Sequence, residues 1–268
     1  MNKVLVILGS TSTGKTDLAL RLAKKFNGEL IACDSRQVYK GLDIGTGKMP
    51  SSNGQFKKRQ GYWEIDGVKI WMYDVAEPNK QYTAYDFVKD GRRAIKEITT
   101  ENKLPIIVGG TGLYLRAFID GLPNLGIPVD QKLRKSLEKL SLLKLQYKLQ
   151  ELSFEKWQEM NNSDRQNPRR LIRHIEMLSN NSRQFKKTKA DGISGWSDLL
   201  KIGLIGPRQI LYEKSNQRVV KRISQGMIIE AKRLYKEGLS LERMRQLGLE
   251  YRILFCFSVM LTKRNKIP

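Results

Sequence analysis

Lys3-Val4-Leu5-Val6-Ile7-Leu8-Gly9-Ser10-Thr11-Ser12-Thr13-Gly14-Lys15-Thr16 is a short apolar run, then a glycine-bounded turn, then a Lys-Thr pair. From Lys15 to Phe26 the residues Leu18, Leu22 and Phe26 recur at helical spacing, so the segment reads as strand, loop and helix. Gly9 to Thr16 fits GxxxxGK[ST] in the context that motif requires. The glycines let the backbone curl until its N–H groups and the helix N-terminus face phosphate oxygens. Gly9, Ser10, Thr11, Ser12, Thr13, Gly14, Lys15 and Thr16 are therefore expected to hold a diphosphate. Lys15 supplies positive charge and the Thr16 hydroxyl a place for Mg²⁺. On this motif alone, phosphoryl transfer is the commonest chemistry.

Further apolar runs follow at Glu29 to Cys33, Ile70 to Val75 and Leu104 to Val108, with a helical stretch from Tyr85 to Ile98. Strands alternating with helices imply an α/β fold, a parallel sheet with helices on both faces. Leu204 and Ile205 begin a run that suits a last strand. From Pro123 to Asp198 no strand is evident and Leu133 to Leu152 reads as one Lys-rich amphipathic helix. The expected organisation is a core of residues 1–122 and 199–268 around a helical insertion at 123–198. Pro50 to Gly61 has the composition of a loop.

Asp34 directly follows a buried strand, which puts a carboxylate at the sheet edge where open α/β folds bind ligands. A general base and a metal-side acid are both open roles for it, and Asp74 competes for the second. Gly109-Gly110-Thr111-Gly112 repeats the strand, glycine turn and helix start. Arg165, Arg169, Arg170 and Arg173 crowd one helix start, a density suited to phosphate contacts. The chain of 268 residues carries 49 Lys and Arg against 27 Asp and Glu, a formal charge of +22 that points to a nucleic-acid partner. His174, the single histidine, sits among arginines at helical spacing and reads as a helix-surface residue. Cys33 and Cys256 lack metal or redox spacing and read as packed thiols. With no apolar stretch of membrane-spanning length and no leader-like start, a cytoplasmic protein without a membrane partner is expected.

Together these residues resemble one family, the tRNA dimethylallyltransferases. The resemblance is carried by GSTSTGKT (9–16), DSRQVYKGLDIGTGK (34–48), YDVAEPNKQYTAYDF (73–87), LPIIVGGTGLYL (104–115), NPRRLIRHIEM (167–177) and RQILYEKSNQRVVKRI (208–223). It implies a P-loop NTPase-like core with an all-helical insertion, a monomer, and transfer of a dimethylallyl group from its diphosphate to an adenosine beside the tRNA anticodon. It further implies Asp34 as the base for the adenine N6 amine, and Ser35, Arg36 and Gln37 as contacts to the flipped adenosine. Thr111 would donate to the leaving diphosphate, Arg218 and less directly Arg208 would add charge to it, and Mg²⁺ would sit on Thr16. Arg134, Arg169, Arg170 and Arg173 match tRNA-contact positions. Ser10, Ser12 and Thr13 stand where the family often has Pro, Ala and Ser. After Arg252 the family continues through basic helical sequence, whereas here ILFCFSVMLTKRNKIP follows, read as a short packed helix or an altered reading frame.

Overall fold

The computed structural model describes residues 3–50, 55–122, 125–179, 192–193, 198–248 and 250–253. The apolar tail and Cys256 lie outside them. Two compact units emerge, one formed by Met1–Gly121 with Gly192–Pro268, the other by Leu122–Asp191.

In the first unit, β1 (Lys3–Gly9), β2 (Gly28–Cys33), β3 (Phe56–Arg59), β4 (Tyr62–Ile65), β5 (Val68–Trp71), β6 (Leu104–Gly109) and β7 (Asp198–Leu204) form one sheet, ordered β3-β4-β5-β2-β6-β1-β7. The five strands from β5 to β7 run parallel, and the β3–β4–β5 meander is antiparallel. Every residue of β2 is buried, as a strand covered on both faces requires. Leu5, Ile7, Leu30, Ala32, Ile106 and Val108 join Ala19 and Ala23 of α1 (Lys15–Lys25) in one core. The alternate residues Val4, Val6, Ile31 and Ile107 are equally buried. α2 (Ala84–Thr100) packs on β2 and β6 and against α3 (Gly112–Ile119). Its start is fixed by a capping box in which Thr83 and Asp86 exchange side-chain and backbone hydrogen bonds. α9 (Arg208–Ser224), α10 (Met227–Lys236) and α11 (Leu241–Gln246) complete this unit.

The second unit consists of α4 (Gln131–Leu137), α5 (Leu142–Leu152), α6 (Phe154–Glu159), α7 (Asn162–Arg165) and α8 (Pro168–Ser179). Its core joins Leu137, Leu145, Leu149, Met160, Leu171, Ile172 and Ile175. Asp130, Ser141, Ser153 and Asn161 each accept a backbone N–H at a helix start. Each cap satisfies a donor that the first turn leaves orphaned.

Several expectations are corrected. Phe26 is 53% exposed; the buried stripe of α1 runs through Ala19 and Ala23, with Leu18, Leu20 and Leu22 beside it. The stretch read as one helix from Leu133 to Leu152 is two, broken where Ser141 caps α5. The last strand ends at Leu204 instead of beginning there. β3 lies within the expected Pro50–Gly61 loop. The strand expected from Ile70 to Val75 is β5, which stops at Trp71 because Met72 and Asp74 take φ of 71° and 58°.

Candidate active site

Parallel registry sets the site. Leu8 of β1 and Cys33 of β2 both pair with Gly109 of β6, so the turns that leave these strands open side by side at one sheet edge. Glycine is required at that edge for space: a Cβ on Gly109 would come within 2.1 Å of the Cys33 carbonyl oxygen. Gly14, the N-cap of α1, has open space around it, but its φ of 82° is one that side chains rarely adopt.

Within the phosphate loop, Thr13 Oγ1 donates to the Ser10 carbonyl at 2.9 Å, and Lys15 Nζ bends over the loop to the same carbonyl. Ser12 holds a left-handed backbone at φ 67°; its hydroxyl lies 3.0 Å from that of Ser215 and accepts from Arg218 Nη1 at 3.3 Å. Those contacts tie the loop to α9. Burial, then the nearby Arg218 charge, lowers the Lys15 pKa, with Asp34 opposing.

At the neighbouring turn, Asp34 Oδ1 accepts the Arg36 N–H at 2.8 Å, and Thr111 Oγ1 accepts the Ser35 N–H at 3.2 Å. The carboxylate and the hydroxyl are thus held to one short backbone segment. Gln37 Nε2 donates to the Thr46 carbonyl at 3.2 Å. Gly9, Ser10, Thr11, Ser12, Lys15 and Thr16 line a cavity of about 550 Å³ that is also lined by Asp34, Ser35, Arg36, Gln37, Thr111 and Arg218. A second cavity of about 610 Å³ holds Gly14, Arg21, Lys24 and Lys214. Ser12, Lys15, Thr16, Tyr73 and Arg218 belong to both. Thr13 lines neither and instead braces the loop from within.

Sequence reasoning missed Arg222, one helical turn after Arg218, which lines the first cavity and donates to the Gly45 carbonyl at 2.8 Å. The four-residue spacing was the available signal. Arg208, by contrast, donates to the Tyr212 hydroxyl and lines neither cavity. Asp74 leaves the competition for a metal-side acid, because its oxygens are taken by buried Lys48 and by Trp63 Nε1, the latter at 2.7 Å. No cluster of three or more His, Cys, Asp or Glu forms a metal cage among the described residues. The Thr16 hydroxyl and Asp34 carboxylate on one cavity still suit an ion that takes one or two protein oxygens and the rest from phosphate and water.

The other predicted residues belong to the helical unit. Arg134 and Arg173 both bond the buried Glu176 carboxylate, and Arg173 also reaches the Ile127 carbonyl at 2.9 Å. Arg170 pairs with Asp164, and Arg165 lies over the Trp157 ring. For exposed Arg169 no side-chain partner is seen among the described residues. His174 is half-buried on α8 instead of surface-lying; burial, then Lys156 and Arg173, lower its pKa.

A GxxxxGK[ST] strand–turn–helix at the carboxyl edge of a parallel sheet, lining one cavity with a carboxylate, defines a P-loop-like α/β fold. Residues 37–260 match the model of the IPP transferase family, and residues 2–67 that of isopentenyl transferase. The chain belongs to the IPP transferase family. It is 40% identical to the tRNA dimethylallyltransferase 2 of Treponema denticola, over 92% of this chain and 78% of that protein. Identity to the tRNA dimethylallyltransferase of Streptococcus pyogenes is 38%, over 96% and 78%. The crystal structure of the Staphylococcus epidermidis tRNA delta(2)-isopentenylpyrophosphate transferase is similar, with a TM-score of 0.59 and 31% identity over 99% of this chain and 82% of that one.

Proposed function

We propose that this chain transfers a dimethylallyl group from dimethylallyl diphosphate to N6 of the adenosine immediately 3′ of a tRNA anticodon, releasing diphosphate. The observation that carries the reading is the single cavity lined both by the phosphate loop and by Asp34 and Thr111. Family membership and the names of the relatives support it.

In this reading the N6 lone pair attacks C1 of the donor, the C1–O bond breaks with its electron pair leaving on diphosphate, and the N6 proton passes to Asp34. The Arg36 N–H at Oδ1 orients that carboxylate. Negative charge grows on the diphosphate as the bond breaks, so the loop N–H groups, Lys15, Arg218 and the Thr111 hydroxyl stabilise the transition state more than the bound donor. Thr16 would hold Mg²⁺, which when bound supplies further charge neutralisation on the diphosphate. Ser35, Arg36 and Gln37 would contact the adenosine. An adenine must leave the anticodon-loop stack to expose N6, and single-stranded loops make that inexpensive. Arg134, Arg169, Arg170 and Arg173 of the helical unit would hold RNA phosphates, consistent with the +22 charge. Action as a monomer in the cytoplasm belongs to the same reading; among the described residues no helix is long and apolar enough to cross a membrane.

The test is incubation with Mg²⁺, labelled dimethylallyl diphosphate and unmodified tRNA, then nucleoside mass spectrometry. N6-dimethylallyladenosine at that one position is the expected product. Its absence with tRNA bound, or equal activity on free AMP, would defeat the reading.

A further inference from the structure

Tyr73 is 3% exposed, and its ring meets Trp63 edge-on with centroids 5.5 Å apart. No hydrogen-bond partner for its hydroxyl is found among the described residues. A buried phenol normally finds one. Among the described residues the sealed side-chain polar atoms without a hydrogen bond are Asp43 Oδ1 and Asp164 Oδ1, each in an ion pair; the Tyr73 oxygen is not among them, so it is open to solvent. Tyr73 lines both cavities, as do Ser12, Lys15, Thr16 and Arg218.

Those four neighbours offer hydroxyl donors and cations, the company an anionic oxygen seeks. Burial and then the charges of Asp34 and Asp74 push the phenol pKa far up, so the group keeps its proton and remains a donor. A neutral donor beside Lys15 adds a directed hydrogen bond without adding charge repulsion to Arg218.

We propose that Tyr73 is a further catalytic residue, whose hydroxyl donates a hydrogen bond to a diphosphate oxygen of the prenyl donor beside the residues that line both cavities. This rests on the functional reading above. Its chemistry is that of a diphosphate ligand generally, so inorganic diphosphate serves as the probe.

The experiment compares wild-type, Tyr73→Phe and Lys15→Ala chains for Mg²⁺-diphosphate affinity by calorimetry, for steady-state kinetics with dimethylallyl diphosphate, and for thermal melting. Tyr73→Phe removes one oxygen and keeps the ring packed on Trp63. It is expected to weaken diphosphate about tenfold, to lower kcat/KM by at least as much, and to leave the melting temperature unchanged or raised. Wild-type diphosphate affinity in Tyr73→Phe, with Lys15→Ala weakened, would overturn the inference alone. Wild-type affinity in both variants would overturn the diphosphate reading as well. A lowered melting temperature with unchanged affinity would make the phenol a packing element and overturn the inference too.

Discussion

Lys15 and Arg218 at the sheet edge are held in the opposite way to Arg134, Arg170 and Arg173 of the helical unit. Among the described residues Lys15 and Arg218 make no ion pair, and their partners are carbonyl and hydroxyl oxygens such as Ser10 O and Ser12 Oγ. Arg134 and Arg173 instead share the fully buried Glu176 carboxylate, and Arg170 has Asp164. A cation braced only by neutral acceptors keeps its field for a ligand, whereas one answered by a carboxylate is part of the architecture first. The arginine-rich start of α8 therefore holds Arg170 and Arg173 in ion pairs while Arg169 shows no side-chain partner among the described residues, a division that the sequence pattern did not show.

That contrast is broken or sharpened by substitution. Glu176→Ala leaves two arginines facing an empty buried site, and the helical unit should lose about 3 kcal/mol, read by chemical denaturation; an unchanged midpoint would mean the arginines are not architectural. Asp34→Asn should lower turnover by a factor of about 10² or more while diphosphate affinity stays put; wild-type turnover would remove Asp34 as the base. Lys15→Ala should weaken the prenyl diphosphate about tenfold, visible as a raised KM.

The same lysine predicts a pH dependence. Its pKa is lowered from 10.5 by burial and Arg218, and a bound diphosphate raises it again. Affinity is therefore full below the free-protein pKa and falls as pH rises through it, below 10.5. Lys15→Arg should flatten that fall, as titration calorimetry would show. The smallest effect concerns RNA: Arg169→Ala should reduce the salt slope of tRNA binding by about one, and Arg170→Ala by less, because RNA must displace Asp164 from Arg170. Equal slopes in the two variants would erase the distinction drawn for α8.

Much of the edge was legible in the sequence because its chemistry is local. A glycine-bounded turn followed by Lys15-Thr16 after a buried strand marks a strand end and helix start, and Asp34 and Gly109 to Thr111 repeat the same strand-end logic. Elements whose identity depends on distant partners were not legible. All four residues of β3 are exposed, so no apolar alternation announces it, and only pairing with β4 and the Phe56 ring stacked on Trp63 define it. Asp74 passed for a metal-side acid until Lys48 and Trp63 closed on it. Tyr73 drew no reading of its own, since nothing local tells a packed ring from one whose hydroxyl is open. The break at Ser141 was missed because Leu and Lys continue at helical spacing across it.

In the proposed reaction the phosphate loop cradles a leaving group and does not transfer phosphate. Donor labelled with ¹⁸O at the oxygen joining C1 to phosphorus tests it directly when the enzyme turns over with tRNA. The account predicts that all ¹⁸O appears in released diphosphate and that the dimethylallyl group appears on N6 of the adenosine. Recovery of ¹⁸O in dimethylallyl alcohol or its monophosphate, with phosphate moved elsewhere, would show cleavage at phosphorus and contradict it.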